Sequence, residues 1–92
     1  MDVSFDPAKR LMTLEKRGLD FMDAAKVFEG DYLSWEDDRM DYGEPRFNTF
    51  GFLDGRAVFL TWTPRDGGIR VISMRKANDR EQARFGRIVG RS

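Results

Sequence analysis

The dipeptide Asp54-Gly55 lies between two runs of apolar and β-branched residues, and it constrains the fold more than any other feature of the chain. Residues 46–53 precede it and residues 56–63 follow it. A two-residue Asp-Gly connection between such runs is the strongest short-range signal for a tight antiparallel hairpin. A second turn segment at residues 64–68 leads into another strand at residues 69–75, so the sequence predicts an antiparallel meander.

Strand-like segments also occur outside this hairpin. Residues 32–35 predict a further strand, and residues 3–6 predict a short one at the N-terminus. Along the last strand, simple alternation assigns side chains to two faces. It predicts Ile69, Val71, Ser73 and Arg75 on one face, and Arg70, Ile72 and Met74 on the other.

Start and stop signals define a first helix clearly. Asp6 is placed to cap it, Pro7 occupies its first position and Gly18 follows its last turn. The spacing of the apolar residues predicts that Leu11 and Leu14 face the core, with Met12 as a further candidate.

Two further helices are predicted from the same kinds of signal. Asp20 opens a short second helix that ends at Gly30. Asn78 or Asp79 caps a third helix, which ends near Gly90.

The order of strand, two helices, three or four meandering strands and a final helix is typical of the α+β class. We therefore expect an antiparallel sheet of about four strands, plus the short N-terminal strand, in a single domain of residues 1–92. No segment has the ~20 apolar residues of a membrane span, and the N-terminus does not resemble a secretory signal. We expect a cytoplasmic protein without membrane contact.

The chain contains no Cys and no His. Disulfides, thiol nucleophiles, zinc sites and His-dependent catalytic triads are therefore excluded. The acidic segment 36–44 lacks the ligand spacing and central glycine of a calcium loop, so it predicts an exposed connection. We expect no metal and no cofactor.

A formal net charge of zero conceals a strong asymmetry. Residues 1–44 carry six Lys and Arg against twelve Asp and Glu, whereas residues 45–92 carry ten against four. Such a split suggests a basic surface for a polyanion and an acidic one for another partner. The alternative is that the two halves pair with each other in the fold.

Arginine accounts for nine of the ten cations in the basic half. Arg46 begins the first meander strand, Arg65 lies in the second turn and Arg75 ends the last strand. The meander order brings Arg46 and Arg65 to one edge of the sheet and Arg75 to the opposite edge. A guanidinium group stays charged and offers a planar fork to phosphate oxygens, which suits RNA binding. Solvated or ion-paired arginines are the alternative interpretation.

Strand aromatics and the last helix allow the same two interpretations. The aromatic side chains can stack on bases or pack in the core, and packing is the better default. They are Phe47, Phe50, Phe52, Phe59 and Trp62. The last helix carries a basic stripe that suits either solvent or an acidic partner: Arg80, Arg84, Arg87 and Arg91.

Several motifs, taken in order, resemble the BrnT family of type II toxins over nearly the whole chain. They are Phe5-Asp6-Pro7-x-Lys9, Lys16-x-Gly18-Leu19-x-Phe21, Gly43-Glu44-x-Arg46-Phe47, Thr63-x-Arg65 and Ile72-Ser73-Met74-Arg75-Lys76-Ala77.

The resemblance implies a RelE-like fold and a metal-independent ribonuclease toxin that inhibits translation by cleaving RNA. It also implies a cognate BrnA-like antitoxin with a ribbon-helix-helix domain. The toxin–antitoxin complex would then bind operator DNA only through the antitoxin. The implied chemistry is attack of a 2′-hydroxyl on the adjacent phosphate. The implied catalytic residues are Arg46, Arg65 and Arg75, with Lys9, Arg70, Glu81 and Arg17 as supporting or RNA-binding residues.

Two positions depart from the family pattern. Arg17 stands where relatives commonly have His, and Phe85 stands where they commonly have Tyr. Loss of a general acid or base typically costs about 100–10,000-fold in rate. Glu44 or Glu81 is then the remaining candidate base. The alternative function is a non-catalytic co-repressor that holds an antitoxin, or an RNA-binding module without nuclease activity.

Overall fold

The computed structural model describes residues 1–89, which form a five-stranded sheet with helices on both of its faces. In chain order the elements are β1 (Val3–Ser4), α1 (Pro7–Arg17), a 3-10 turn (Phe21–Asp23), α2 (Ala24–Val27), β2 (Leu33–Glu36), β3 (Phe47–Leu53), β4 (Arg56–Arg65), β5 (Gly68–Lys76) and α3 (Asp79–Ile88). Gly90 and Arg91, the predicted helix end and the last residue of the basic stripe, lie outside the described residues.

The sheet has the order β1-β5-β4-β3-β2. Strands β2 to β5 form the predicted antiparallel meander. β1 pairs with β5 in parallel, so the sheet is mixed and has five strands. The predicted α+β class is confirmed.

Both hairpins of the meander close through an Asp-Gly pair. The φ angles are 50° at Asp54 and 81° at Gly55, and 47° at Asp66 and 79° at Gly67. Positive φ at both central residues is the type I′ turn, whose twist matches that of the flanking strands. The prediction from Asp54-Gly55 is therefore confirmed, and the second turn has the same geometry.

A β-bulge at Ile72 changes which residues of β5 share a face. Thr61 lies opposite Ser73 but Trp62 lies opposite Val71, so Ile72 has no opposite residue on β4. The extra residue reverses the alternation beyond it. Ile69, Val71 and Met74 therefore pack in one core cluster, and Arg70, Ser73 and Arg75 lie on the other face. The face assignment predicted by simple alternation is correct for residues 69–71, before the bulge, and wrong for Ser73, Met74 and Arg75 beyond it.

The helix caps follow the sequence signals. The Asp6 carboxylate accepts a hydrogen bond from the Ala8 N–H, and Gly18 ends α1 in the left-handed conformation with φ 67°. Asp20 caps the 3-10 turn instead of a regular helix, and α2 ends at Val27, before the predicted Gly30. Within residues 1–89, no helix combines the length and the apolar content that crossing a membrane requires.

α1 does not present its leucines to the core as predicted. Its one buried residue is Thr13, whereas Leu11 is 57% exposed and Leu14 is 41% exposed. α1 contacts β5 and the 3-10 turn through the side that carries Thr13. The apolar periodicity of this helix identifies a stripe, but that stripe faces outward.

The two sheet faces have different coverings. On one face α2 lies so close that a Cβ at Gly51 would be 2.5 Å from Cγ1 of Val27. On the other, Phe85 of α3 packs against Phe50 with ring centroids 5.6 Å apart. We call this second surface the α3 face; its central rows are Phe50, Phe59 and Arg75, and Asn48, Thr61 and Ser73.

Candidate functional site

Arg75 is held in a fixed orientation on the α3 face. Its Nη1 and Nη2 atoms each donate to a different oxygen of the Glu81 carboxylate, both at 2.8 Å. Its guanidinium also lies over the ring of Phe59, 4.6 Å from the centroid. The side chain is still 41% exposed, so a positioned guanidinium group faces solvent.

Glu81 joins Arg75 to the start of α3. Its carboxylate accepts from the N–H of Asn78, and the Asn78 side chain accepts from the N–H of Glu81, which is a capping box. The hydrogen bonds from Arg75 hold the pKa of the Glu81 carboxyl below its ordinary value and raise the pKa of the Arg75 guanidinium. Because an effective general base has a pKa near the working pH, Glu81 is suited to orienting Arg75 and poorly suited to proton transfer.

A row of small polar side chains crosses the sheet beside Arg75. Asn48 is buried and accepts a hydrogen bond from the Thr61 hydroxyl at 2.8 Å. Ser73 follows on β5, opposite Thr61. Sequence reasoning missed this row, because recognising it requires the strand register and the bulge at Ile72.

Arg46 lies at the opposite end of the α3 face and is held differently. Its guanidinium lies over the ring of Tyr42, 4.1 Å from the centroid. Its Nε atom is shielded from solvent and has no hydrogen-bond partner within residues 1–89. Arg46 also makes no ion pair within residues 1–89, so the charge of its guanidinium is not neutralised there.

Asp37 organises the loop that carries Tyr42 and Arg46. Its carboxylate is 3% exposed and accepts two hydrogen bonds from Arg39, at 2.8 and 2.9 Å, and one from the Tyr42 hydroxyl. The Arg39 contact lowers the pKa of Asp37 to about 2. The Asp37 N–H also donates to the Arg46 carbonyl. The prediction of a wholly exposed acidic connection is wrong at this residue.

Arg65 and Arg70 lie at the same end as Arg46. Arg65 forms a partly exposed ion pair with Glu44 at 3.4 Å, and Arg65 and Arg70 line one cavity. Arg46 precedes Phe50, a member of the Arg75 row, by four residues, which corresponds to about 13 Å along the strand. The arginines thus form two groups on this face, as the meander order predicts.

Lys9 and Arg17 lie on α1. Lys9 is exposed. Arg17 donates through Nη1 to the Met74 carbonyl at 2.9 Å, in the part of β5 that β1 does not cover. Within residues 1–89, neither side chain makes a hydrogen bond or ion pair with the side chain of another candidate residue, but the carbonyl that Arg17 contacts belongs to the peptide bond of Arg75.

A cavity of about 350 Å³ adjoins the Arg75–Glu81 pair. Trp35 and Phe59 form its aromatic wall. The Trp35 ring stacks on the ring of Phe85, with the centroids 4.9 Å apart. Arg84 and Glu81 also line it. Of the strand aromatics considered for base stacking, Phe50 is fully buried, whereas Phe59 is partly accessible.

The acidic and basic halves of the chain do not neutralise each other. Five ion pairs occur in the described part of the chain, and Arg65–Glu44 alone joins residues 1–44 to residues 45–89. Seven cations of the second half make no ion pair there: Arg46, Arg56, Arg70, Lys76, Arg80, Arg84 and Arg87. The basic half therefore keeps its charge available for a polyanion.

No group of three or more acidic side chains within residues 1–89 is arranged to hold a metal ion.

Comparison with known proteins supplies the identity of the fold. No curated protein matches the chain. A family model described as the ribonuclease toxin BrnT of type II toxin–antitoxin systems matches residues 5–81, which include both arginine groups and Glu81. The chain therefore belongs to the BrnT family of ribonuclease toxins of type II toxin–antitoxin systems.

Proposed function

We propose that this protein is a metal-independent endoribonuclease that inhibits translation by cleaving RNA, with Arg75 at the reacting phosphate. The observation that supports this most directly is the state of Arg75, which is oriented by Glu81 and Phe59 and still accessible. A preorganised guanidinium stabilises charge that develops on phosphate oxygens without reorganising during the reaction.

The Arg75 guanidinium has N–H donors left to bind a phosphate after its contacts within residues 1–89 are counted. A guanidinium has five N–H donors. Nη1 uses both of its donors, on Glu81 and on the Lys76 carbonyl, and Nη2 uses one on Glu81. Within residues 1–89 the Nε–H and one Nη2–H have no partner, and two such donors match the bidentate geometry of phosphate recognition.

The proposed reaction is an internal displacement at phosphorus. The ribose 2′-oxygen forms a bond to the adjacent phosphorus as the bond to the 5′-oxygen of the next nucleotide breaks. The products are a 2′,3′-cyclic phosphate and a 5′-hydroxyl. The 2′-hydroxyl proton passes to solvent and the departing 5′-oxygen takes one from solvent. Arg75 stabilises the phosphorane oxygens, and Glu81 positions Arg75.

The second arginine group serves substrate binding in this proposal. Arg46, Arg65 and Arg70 contact phosphates of the same RNA strand, about 13 Å from the reacting one. Arg46 makes no ion pair within residues 1–89, and the Arg65–Glu44 pair is exposed enough for phosphate to displace the carboxylate. Lys9 is exposed on α1 and is left out of this site, and Arg17 is given a supporting role because it donates to the Met74 carbonyl, next to Arg75.

The proposed partner is an antitoxin with a ribbon-helix-helix DNA-binding domain, as family membership suggests. It neutralises the toxin, and the complex reaches operator DNA through the antitoxin. The uncompensated charge of the basic half supports RNA as the toxin's own nucleic-acid ligand.

The test uses purified protein in EDTA with an mRNA, both alone and in a cell-free translation reaction. We expect cleavage with 2′,3′-cyclic phosphate ends, no cleavage of the same RNA carrying 2′-O-methyl groups, and a loss of about 100–1,000-fold in kcat in Arg75→Ala. Lys76→Ala, a change at the next and exposed residue, is the matched control. Cleavage of the 2′-O-methyl RNA would contradict the proposed chemistry, and full activity of a folded Arg75→Ala would contradict the site.

RNA binding without cleavage in both conditions would favour the alternative function. The protein would then be an RNA-binding module or an antitoxin-holding co-repressor. Operator binding measured with the antitoxin alone and with the complex separates these two, since only a co-repressor increases it.

A further inference from the structure

The cavity beside the Arg75–Glu81 pair, which we call the aromatic cavity, is lined by three rings that contact one another. Trp35 stacks on Phe85 with the centroids 4.9 Å apart, and it meets Phe59 edge to face with the centroids 5.5 Å apart. All three side chains are partly accessible. A volume of about 350 Å³ is at the small end of the range for pockets that hold small molecules. The size and the rings together suit one planar ring system.

The charged side chains that line the aromatic cavity balance one another. Asp37 is paired with Arg39, and Glu81 is paired with Arg75. The other charged lining residues are two acids and two arginines that make no ion pair within residues 1–89: Glu36, Asp38, Arg80 and Arg84. A lining without net charge gives a phosphate no overall attraction, whereas a neutral ring does not need one. The lining therefore favours a neutral aromatic occupant.

Asn48 adds a polar group with unused donors to this lining. The residue is 8% exposed, and its Oδ1 atom accepts a hydrogen bond from the Thr61 hydroxyl at 2.8 Å, which orients the amide. Within residues 1–89 the Nδ2 atom has no hydrogen-bond partner, although Asn48 lines the cavity. The two N–H groups of such an amide match the ring nitrogens and carbonyl oxygens on the edge of a nucleobase.

We infer that the aromatic cavity is a base-binding subsite, which holds one nucleobase of the RNA strand beside Arg75. Phe59 connects the two, because it lines the cavity and its ring also lies 4.6 Å from the Arg75 guanidinium. A nucleotide whose phosphate binds Arg75 can therefore place its base in the cavity. Stacking on aromatic rings, combined with hydrogen bonds to a base edge, is how proteins recognise single-stranded RNA.

This inference rests on the proposed function for the presence of RNA at Arg75. It adds that Trp35 and Asn48 select the nucleotide at which the RNA is cleaved. Binding of a base can be measured without cleavage, so the subsite and the ribonuclease activity can be tested separately.

The experiment measures the Kd of a short RNA that carries 2′-fluoro groups and so has no 2′-oxygen to attack phosphorus. Each nucleotide is replaced in turn by an abasic one, and binding is followed by fluorescence anisotropy. In the wild type, loss of one particular base is expected to raise Kd about tenfold, since stacking on an aromatic ring stabilises a bound base. In Trp35→Leu the complete RNA should bind about tenfold more weakly, and loss of the same base should then change Kd less than twofold.

Tyr32→Leu is the matched control for the aromatic change. Tyr32 is 45% exposed and lies with Val27 near Gly51, on the sheet face that α2 covers. This variant should keep the tenfold response to base removal.

Asn48→Asp tests the polar part of the subsite. The carboxylate can still accept from Thr61, but the two N–H donors are lost. With each of the four bases at the sensitive position, we expect the order of affinities to change, and the base that the wild type prefers should lose at least fivefold in affinity.

The remaining outcomes separate the two proposals. An equal response to base removal in the wild type and in folded Trp35→Leu overturns the subsite, and so does a wild type that responds to the loss of no base. An unchanged order of affinities in folded Asn48→Asp overturns the role of Asn48. If Trp35→Leu weakens only the binding of the protein encoded by the adjoining reading frame, the cavity belongs to the antitoxin and the subsite is overturned. If the wild type cleaves no unmodified RNA but Trp35 and the base remain coupled, the ribonuclease proposal fails and the subsite stands.

Discussion

Arg75 and Arg46 lie at opposite ends of the α3 face and are held in different ways. Arg75 has a carboxylate on one side and an aromatic ring against it, so its direction is fixed and much of its charge is neutralised. Arg46 has the Tyr42 ring but no carboxylate within residues 1–89, so its full charge remains. A fixed donor suits transition-state stabilisation, whereas an uncompensated charge suits attraction of the RNA backbone. We therefore predict that loss of the fixed orientation of Arg75 lowers kcat, whereas loss of Arg46 raises KM.

Replacing Glu81 with Gln tests the first half of this comparison. Gln can still complete a capping box, so α3 should keep its start, but the charged pair that orients Arg75 is lost. We expect kcat to fall about tenfold with little change in KM, equivalent to about 1.4 kcal/mol of transition-state stabilisation. Steady-state cleavage of a short RNA is the measurement.

Asp79→Asn is the matched control for this change. It removes a carboxylate from the same helical turn at a residue that makes no ion pair in the described chain. An equal fall in kcat in both variants would mean that net charge, and not the orientation of Arg75, is responsible.

Replacing Arg46 with Ala tests the other half. We expect KM to rise about fivefold with kcat unchanged, because one phosphate contact contributes about 1 kcal/mol to binding. The slope of log affinity against log salt should decrease in magnitude by about one. Arg56→Ala, at the exposed end of the β3–β4 hairpin, should leave both quantities unchanged. A kcat effect at Arg46 would remove the distinction between the two ends.

Local rules predicted much of this fold. Asp6, Gly18 and Asn78 cap helices as expected, because a cap depends on residues within one turn of the chain. The two Asp-Gly turns likewise follow from the backbone preferences of adjacent residues. The order of the meander strands is enough to place Arg46 and Arg65 at one end of the sheet and Arg75 at the other.

Features that depend on distant partners were not predictable. The bulge at Ile72 is defined by the register against Trp62, and it decides that Arg70 and Arg75 share a face. The position of Asp37 depends on its N–H donating to the carbonyl of Arg46, nine residues later. The stripe on α1 shows the same limit, since periodicity detects an apolar face but does not say whether the core or another molecule covers it.

Asp37 supports Arg46 through the loop that carries Tyr42. Of the changes considered, replacing Asp37 should have the smallest effect on function, and its effect on stability should depend most on pH. Its pKa is lowered to about 2, so the native state favours the ionised form. The stability this provides is fully present above the ordinary pKa of about 4 and is lost as the pH falls through about 2. Asp37→Asn should therefore lower the urea midpoint at pH 7, with a difference from wild type that shrinks between pH 4 and pH 2.5. A difference in urea midpoint that stays constant over this range would mean that Asp37 acts through packing. The position of the Tyr42 ring beneath Arg46 would then not depend on the charge of Asp37.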